Sequence, residues 1–315
     1  MKVDRIIWGV LLLFVGGVLL LQNFDVINFY WTNTWRFWPV LFIMWGLQLL
    51  LNRKGKQTGS IAALAVLVLS LSVLFVQGQQ KPDFKRAFIY FDDNDWDSEP
   101  TTKMMHFSQP YLPDDSTKST VLNISGGAVV YELKHSTDSL FEAHVEKGRG
   151  GFSLLKNTND STIVVDFKMK GRKHRGGHSW NFGPSAGIID LRLNTYPVWD
   201  INLSTGAGSS EFDLSNFKVS KLKIEGGASS FEVKLGELYP LTKLNVETGA
   251  ANVEIKIPLN SGCQIKTSTG MSSRDFSGFT KKNNGVYETS NFVSAKNKIF
   301  IDLEGGLSNF EVDRY

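Results

Sequence analysis

From residue 119 onward the chain alternates apolar and polar positions in short runs, and each run breaks at a glycine. Ile201 and Leu203 lead into Thr205, Gly206 and Ala207, and alternation resumes at Phe212 and Leu214. Leu222 and Ile224 lead into Gly226, Gly227 and Ala228, followed by Phe231 and Val233. The phrase returns at Leu244 to Ala250 with Val253 and Ile255, at Ile265 to Met271 with Phe276, and at Ile301 to Leu307 with Phe310 and Val312. An earlier copy runs from Leu122 to Ala128, with Tyr131 and Leu133. The corner glycines of the four central copies fall at 206, 227, 249 and 270, a step of 21 or 22 residues. A fixed period of this size predicts a stacked, solenoid-like array, and alternation of period two predicts strands with one buried face. Ordinary hairpins with glycine in their turns would not share a spacing. Each corner glycine is expected to supply either positive φ or a backbone approach too close for a Cβ. The small residue after it (Ala207, Ala228, Ala250) fits the same crowding. Residues 119–315 are therefore expected to form an all-β, β-solenoid-like domain, with further strands at 119–124, 129–133, 140–145 and 162–169.

The other pattern is continuous apolarity. Residues 6–21, 37–51 and 61–76 are three uninterrupted runs. Each is slightly short of the ~20 residues that span a bilayer, and flanking aromatics and threonines extend them. Trp31, Trp35 and Trp38 cluster where an interfacial aromatic belt would lie. Pro39 is tolerable in a first helical turn. A cleaved signal peptide would need a small-x-small site after Leu21, and none follows. Residues 1–76 are thus expected to form three transmembrane helices. Lys2 and Arg5, with Arg53, Lys54 and Lys56 in the second link, place the N-terminus inside and residues 77–315 outside. Residues 77–118 read as a linker and first strands. They include a strand at 87–91 and an acidic loop at 92–99. Asp93, Asp95 and Asp97 imitate a calcium loop, but the turn glycine is missing and the twelfth position is Met104.

Charge sharpens this division. Residues 1–76 carry six Lys/Arg against two acids, which leaves 28 basic and 29 acidic residues for the rest. A near-neutral large part without a basic stripe argues against nucleic acid as a partner. The single cysteine, Cys263, excludes an intrachain disulfide and shares the alternation phase of Ile265, as a packed strand residue does. Five cations and two histidines gather at Lys168, Lys170, Arg172, Lys173, His174, Arg175 and His178. They read first as an exposed loop between strands, and second as a contact surface for anionic polymers or lipid headgroups. No nucleophile elbow, zinc-protease helix, P-loop or C-x-x-C occurs. His106, His135, His144, His174 and His178 are scattered and form no recognisable triad. Neither an enzyme nor a cofactor is expected.

Two stretches carry a family resemblance. Trp8-Gly9, Gly16-Gly17, Leu21-Gln22-Asn23, Trp35-Arg36-Phe37-Trp38-Pro39 and Trp45-Gly46-Leu47 resemble the membrane region shared by LiaI and LiaF proteins of bacteria. The stretch from Tyr196 through Trp199 and Gly206 to Ser215, with its Gly-Ala echoes, resembles the toastrack β domain of the LiaF-like, cell-wall-active-antibiotic-response family. The resemblance implies an integral membrane protein of the bacterial envelope. Its best-known members restrain a sensor histidine kinase that responds to cell-wall stress, and the family has no catalytic residues to carry over. The expected protein is a membrane-anchored, non-enzymatic β-solenoid that senses or regulates envelope stress through protein contacts. Its partners would be the lipid bilayer and a sensor kinase or another envelope protein. The alternative is an adhesin or scaffold that holds an envelope polymer. Oligomeric state is left open.

Overall fold

The computed structural model describes residues 3–24, 26–27, 29–30, 57–80, 104–112, 115, 119–146, 151–159, 161–170, 187–282 and 285–315. Among the described residues, two helices, α1 (Val3–Asn23) and α2 (Gln57–Gly78), precede the strands. The strands open with β1 (Met105–Gln109), β2 (Ser119–Ser136), β3 (Phe141–Glu146), β4 (Gly151–Thr158), β5 (Thr162–Lys170) and β6 (Ile188–Leu193). Three long ones follow, β7 (Val198–Leu214), β8 (Lys218–Leu235) and β9 (Leu241–Ile257). The remainder are short: β10 (Gly262–Thr269), β11 (Ser273–Phe276), β12 (Phe279–Lys281), β13 (Val286–Thr289), β14 (Lys298–Gly305) and β15 (Asn309–Arg314). The expected strand at 87–91, the acidic loop and the second apolar run lie outside the described residues.

Strands β2, β7, β8 and β9 are parallel neighbours in matching register, with Leu122 beside Ile201, Ile201 beside Leu222, and Leu222 beside Leu244. The copies of the repeat therefore stack side by side, not as hairpins. Where the sequence predicts two strands parted by a corner, as at 119–124 and 129–133, the structure has one strand running through the glycine. Pairing lapses at the corner: Thr205 pairs Gly226 and Ala207 pairs Ala228, but Gly206 and Gly227 are skipped. The buried parity flips there, from Ile201 and Leu203 to Phe212 and Leu214. A bent strand needs that flip to keep both arms facing the same interior. The two rows of arms make two walls, and their apolar faces share one core in which Trp199, Phe167, Phe212 and Phe231 are almost wholly buried. Each such side chain contributes about 1.5–3 kcal/mol.

The corners stack as well. A Cβ built on Gly227 would lie 2.6 Å from the Gly206 carbonyl oxygen, and one on Gly249 would lie 2.9 Å from that of Gly227. Gly206 meets the Gly127 carbonyl in the same way at 3.0 Å, and Gly306 meets that of Gly249 at 2.9 Å. Gly270 closes the column on Gly306 at 3.1 Å. Close approach, not positive φ, is thus what the corner needs. Positive φ occurs at Gly208 (122°), two residues past its corner. The alanines after the corners are not crowded inside: Ala207 and Ala250 are half-buried and Ala228 is exposed.

The copies do not stack in chain order, because β14 pairs β9 on one side and β10 on the other, and β15 likewise lies between β9 and β11. The spatial order β2, β7, β8, β9, β14, β10 places Gly126, Thr205, Gly226, Thr248, Gly305 and Thr269 in one row. Glycine and threonine alternate along it without a break. In each glycine layer a ring five residues later covers the bare backbone. Added Cβ atoms would lie 2.5 Å from Tyr131 Oη, 2.6 Å from Phe231 Cζ and 2.8 Å from Phe310 Cζ. In the threonine layers the matching residues are Ser210, Val253 and Arg274. Layers with a ring at this position therefore alternate with layers that have none. Chain order would have set two threonine layers together, and insertion of the last copy prevents that.

Tyr131 is the odd ring. Its hydroxyl is buried with no hydrogen-bond partner among the described residues, and burial pushes its ionisation well above the ordinary phenol range. Phenylalanine fills the equivalent place in both other glycine layers. Tyr131→Phe is expected to leave stability unchanged or raise it by about 1–3 kcal/mol, the cost of a buried unpaired polar group. A denaturant melt that moved to lower concentration would show that the hydroxyl has a partner after all.

The helices pack through Val18 and Phe29, with Phe14 edge-on to Phe75 at 6.4 Å. The Tyr30 amide donates to the Gly78 carbonyl at 2.6 Å. Among the described residues, whose side chains cover 9–22 of α1 and 67 and 69–78 of α2, no helix is long and apolar enough to cross a membrane.

Candidate interaction surface

Alternation that buries one face of every arm must present the other to solvent. Past the corner, Glu132, Glu211, Glu232, Glu254 and Glu311 stand directly beside one another on successive strands, and Asp275 continues the row. Adjacent strands lie about 4.8 Å apart, so six like charges in register repel. Lysines offset part of this. Lys134 Nζ reaches Glu211 at 2.8 Å and Glu132 at 3.8 Å. Lys256 joins Glu232 at 2.7 Å and Glu254 at 2.9 Å. Burial would lower the Lys256 ammonium, but its bonds to these two carboxylates outweigh that and raise it. Two residues beyond the glutamates, Lys234 reaches Asp213 at 3.1 Å. Burial alone would raise the Asp213 carboxyl, yet the Ser215 hydroxyl and amide together with Lys234 hold it below the usual carboxylate range.

The other wall repeats the device, with Lys223 between Glu225 at 2.5 Å and Glu247 at 3.2 Å. There an amide ladder also runs across strands, from Asn202 Nδ2 to Asn123 Oδ1 at 2.9 Å and from Asn123 Nδ2 to Asp166 Oδ1 at 3.0 Å. Half-exposed ion pairs contribute little stability, about 0–1 kcal/mol each. Their value is positional: charges on a register-locked sheet keep fixed spacing, which suits recognition of a matching surface.

The corner column borders a shallow, open groove lined by Thr205, Glu225, Gly227, Glu247, Thr248 and Gly249. It is no phosphate cradle. The carboxylates of Glu225 and Glu247 flank the groove and would repel an anion. Cys263 is fully buried and burial pushes its thiol far up, so it is packing and not a nucleophile.

Of the basic segment, Lys168 and Lys170 lie exposed at the end of β5, Lys168 paired with Asp166 at 3.0 Å. Arg172, Lys173, His174, Arg175 and His178 lie outside the described residues. The glutamate row was not among the sequence candidates. Its signal was present, since each copy has Glu or Asp one residue after the ring position, but only register shows that the acids align. The structure also brings together two histidines that are 38 residues apart, His106 and His144, with ring centroids 4.4 Å from each other.

The model of the N-terminal domain of toast_rack (DUF2154) matches residues 99–256, and that of the LiaF transmembrane domain matches residues 7–80. The first match ends within β9, ahead of the inserted copy. No curated protein sequence matches the chain. Among solved structures, a candidate cell adhesion protein from Clostridium sporogenes is 20% identical, with a TM-score of 0.60 over 68% of this chain and 100% of that one. A candidate adhesin from Bacteroides fragilis is 7% identical over 69% of this chain and 99% of its own, with a TM-score of 0.25. The first of these likenesses concerns the fold alone, and the second superposes too poorly to bear on it.

Proposed function

The chain belongs to the toast-rack family, carrying a LiaF transmembrane domain ahead of the toast_rack N-terminal domain, and from that we propose a non-enzymatic regulator or sensor of cell-envelope stress. It is a membrane-anchored envelope protein with an all-β body. In this reading three helices cross the bacterial cytoplasmic membrane, the N-terminus stays inside, and the rack stands outside. The helices contact a partner within the bilayer. The walls of the rack offer a rigid, charge-patterned face to a sensor kinase or another envelope protein. The observation that carries this reading is the in-register row from Glu132 to Asp275, which adds little stability and is spaced for a partner.

Crosslinking in intact membranes followed by capture of the full chain tests it. Recovery of an envelope kinase or other envelope component, lost when Glu211, Glu232 and Glu254 are changed to Lys, is the expected result. Capture that never yields an envelope protein overturns the reading. A topology reporter fused after Tyr315 checks the sidedness independently.

The fold likeness to a candidate cell adhesion protein supports a second reading, an adhesin or scaffold that binds an envelope polymer. Replacing Arg172, Lys173 and Arg175 with Ser separates the two. Loss of polymer binding with stress signalling intact favours the scaffold.

A further inference from the structure

Strand β1 is the first described strand after the helices, and it joins the sheet at an edge by pairing antiparallel with β3. In that pairing His106 sits directly opposite His144. Glu142, two residues before His144, projects to the same face. One ligand atom from each of the three lies within 4.8 Å of the others. His106 is exposed and the other two are half-buried, so an ion can reach the cluster from solvent. Nδ1 of His144 is buried and has no hydrogen-bond partner among the described residues. Such a nitrogen costs free energy unless something binds it.

We propose that His106, Glu142 and His144 form a binding site for a divalent first-row transition ion of the zinc type. Two imidazoles and one carboxylate are the donors such ions take, with a fourth position left for water. Calcium and magnesium call for a shell of oxygens, which this cluster does not provide. The neighbouring strand keeps the donor set to these three. Asp190, across from His144 on β6, is engaged by Arg192 through Nη2 at 2.8 Å and Nε at 2.9 Å. A bound ion would join β1 to β3 through side chains where backbone pairing alone now holds an edge. It would fasten the chain arriving from the helices onto the body of the rack.

The test uses the full chain purified in detergent and stripped with chelator, titrated with Zn2+ by calorimetry and with Co2+ by absorption spectroscopy. The expected result is one ion per chain, a Co2+ spectrum of low coordination number, and a higher melting temperature with Zn2+. His106→Ala and His144→Ala should each weaken binding at least tenfold, since loss of a mere supporting contact around a metal costs about 10–100-fold. Glu142→Gln should weaken it less. His174→Ala with His178→Ala should change nothing. His106 is exposed, so its variant keeps the fold, which the metal-free melt verifies. Absence of stoichiometric binding overturns the site, and so does binding that survives His106→Ala or disappears only with the His174 and His178 pair. None of these results depends on the stress-sensing role.

Discussion

Gly227→Ala is expected to destabilise the β domain by about 2–3 kcal/mol, the upper range for overpacking a filled site. For a domain of this size that is a fall in melting temperature of roughly 4–12 °C. The added methyl would lie 2.6 Å from the Gly206 carbonyl oxygen. Its obstacle is backbone, held by parallel pairing on both sides, so no side chain can swing away to make room. Gly127 supplies the contrast. It has the same place in its copy but stands at the end of the column, and a Cβ there meets nothing within 4 Å. Gly127→Ala is expected to fall within about 0.5 kcal/mol of the parent. Calorimetry on both variants decides the matter. Equal melting temperatures would mean the corners do not stack at contact distance.

Removal of residues 298–315 should have the larger effect. The lost segment contributes Ile299, Ile301, Leu303, Phe310 and Val312, all essentially buried. At about 1.5–3 kcal/mol each, their gross contribution rivals the whole net stability of an ordinary domain. The position of the segment makes the loss spread. Strands β10 and β11 reach the body through β14 and β15, so they should lose amide protection over 262–276 although their own sequence is intact. Hydrogen exchange read by mass spectrometry separates this from the simpler architecture. A stack in chain order would leave β10 on β9, with residues 262–276 still protected.

The sequence was most legible where one physical rule governed many residues. Alternation revealed the buried face of each arm, and the spacing of glycines revealed the stack, because both follow from burying one side of a repeated strand. The sequence alone leaves two reasons for the glycines, since φ and Cβ clearance impose the same residue. Only the backbone path distinguishes Gly227, where clearance alone is lacking, from Gly208, which lacks clearance and also has φ of 122°. The order of the copies does not follow from their spacing, because neighbours in the chain need not be neighbours in space. A clue did exist: Thr248 and Thr269 follow one another in sequence, while the ring-bearing Gly305 copy waits until the end. Alternation of ring and ringless layers sets that copy between them. The histidine cluster was out of reach, since His106 and His144 meet only through the antiparallel register of β1 and β3. The expected contact loop at 168–178 met the described structure only at Lys168 and Lys170.

The inserted copy also has a consequence for biosynthesis. Residues 298–315 emerge from the ribosome later than 262–276, yet they take the place next to β9. Assembly that keeps pace with emergence can add rungs only as far as β9 and then has to wait. In that interval the β10 segment must hang loose and not seize the open edge of β9, where its misplaced threonine layer would shut out the rightful occupant.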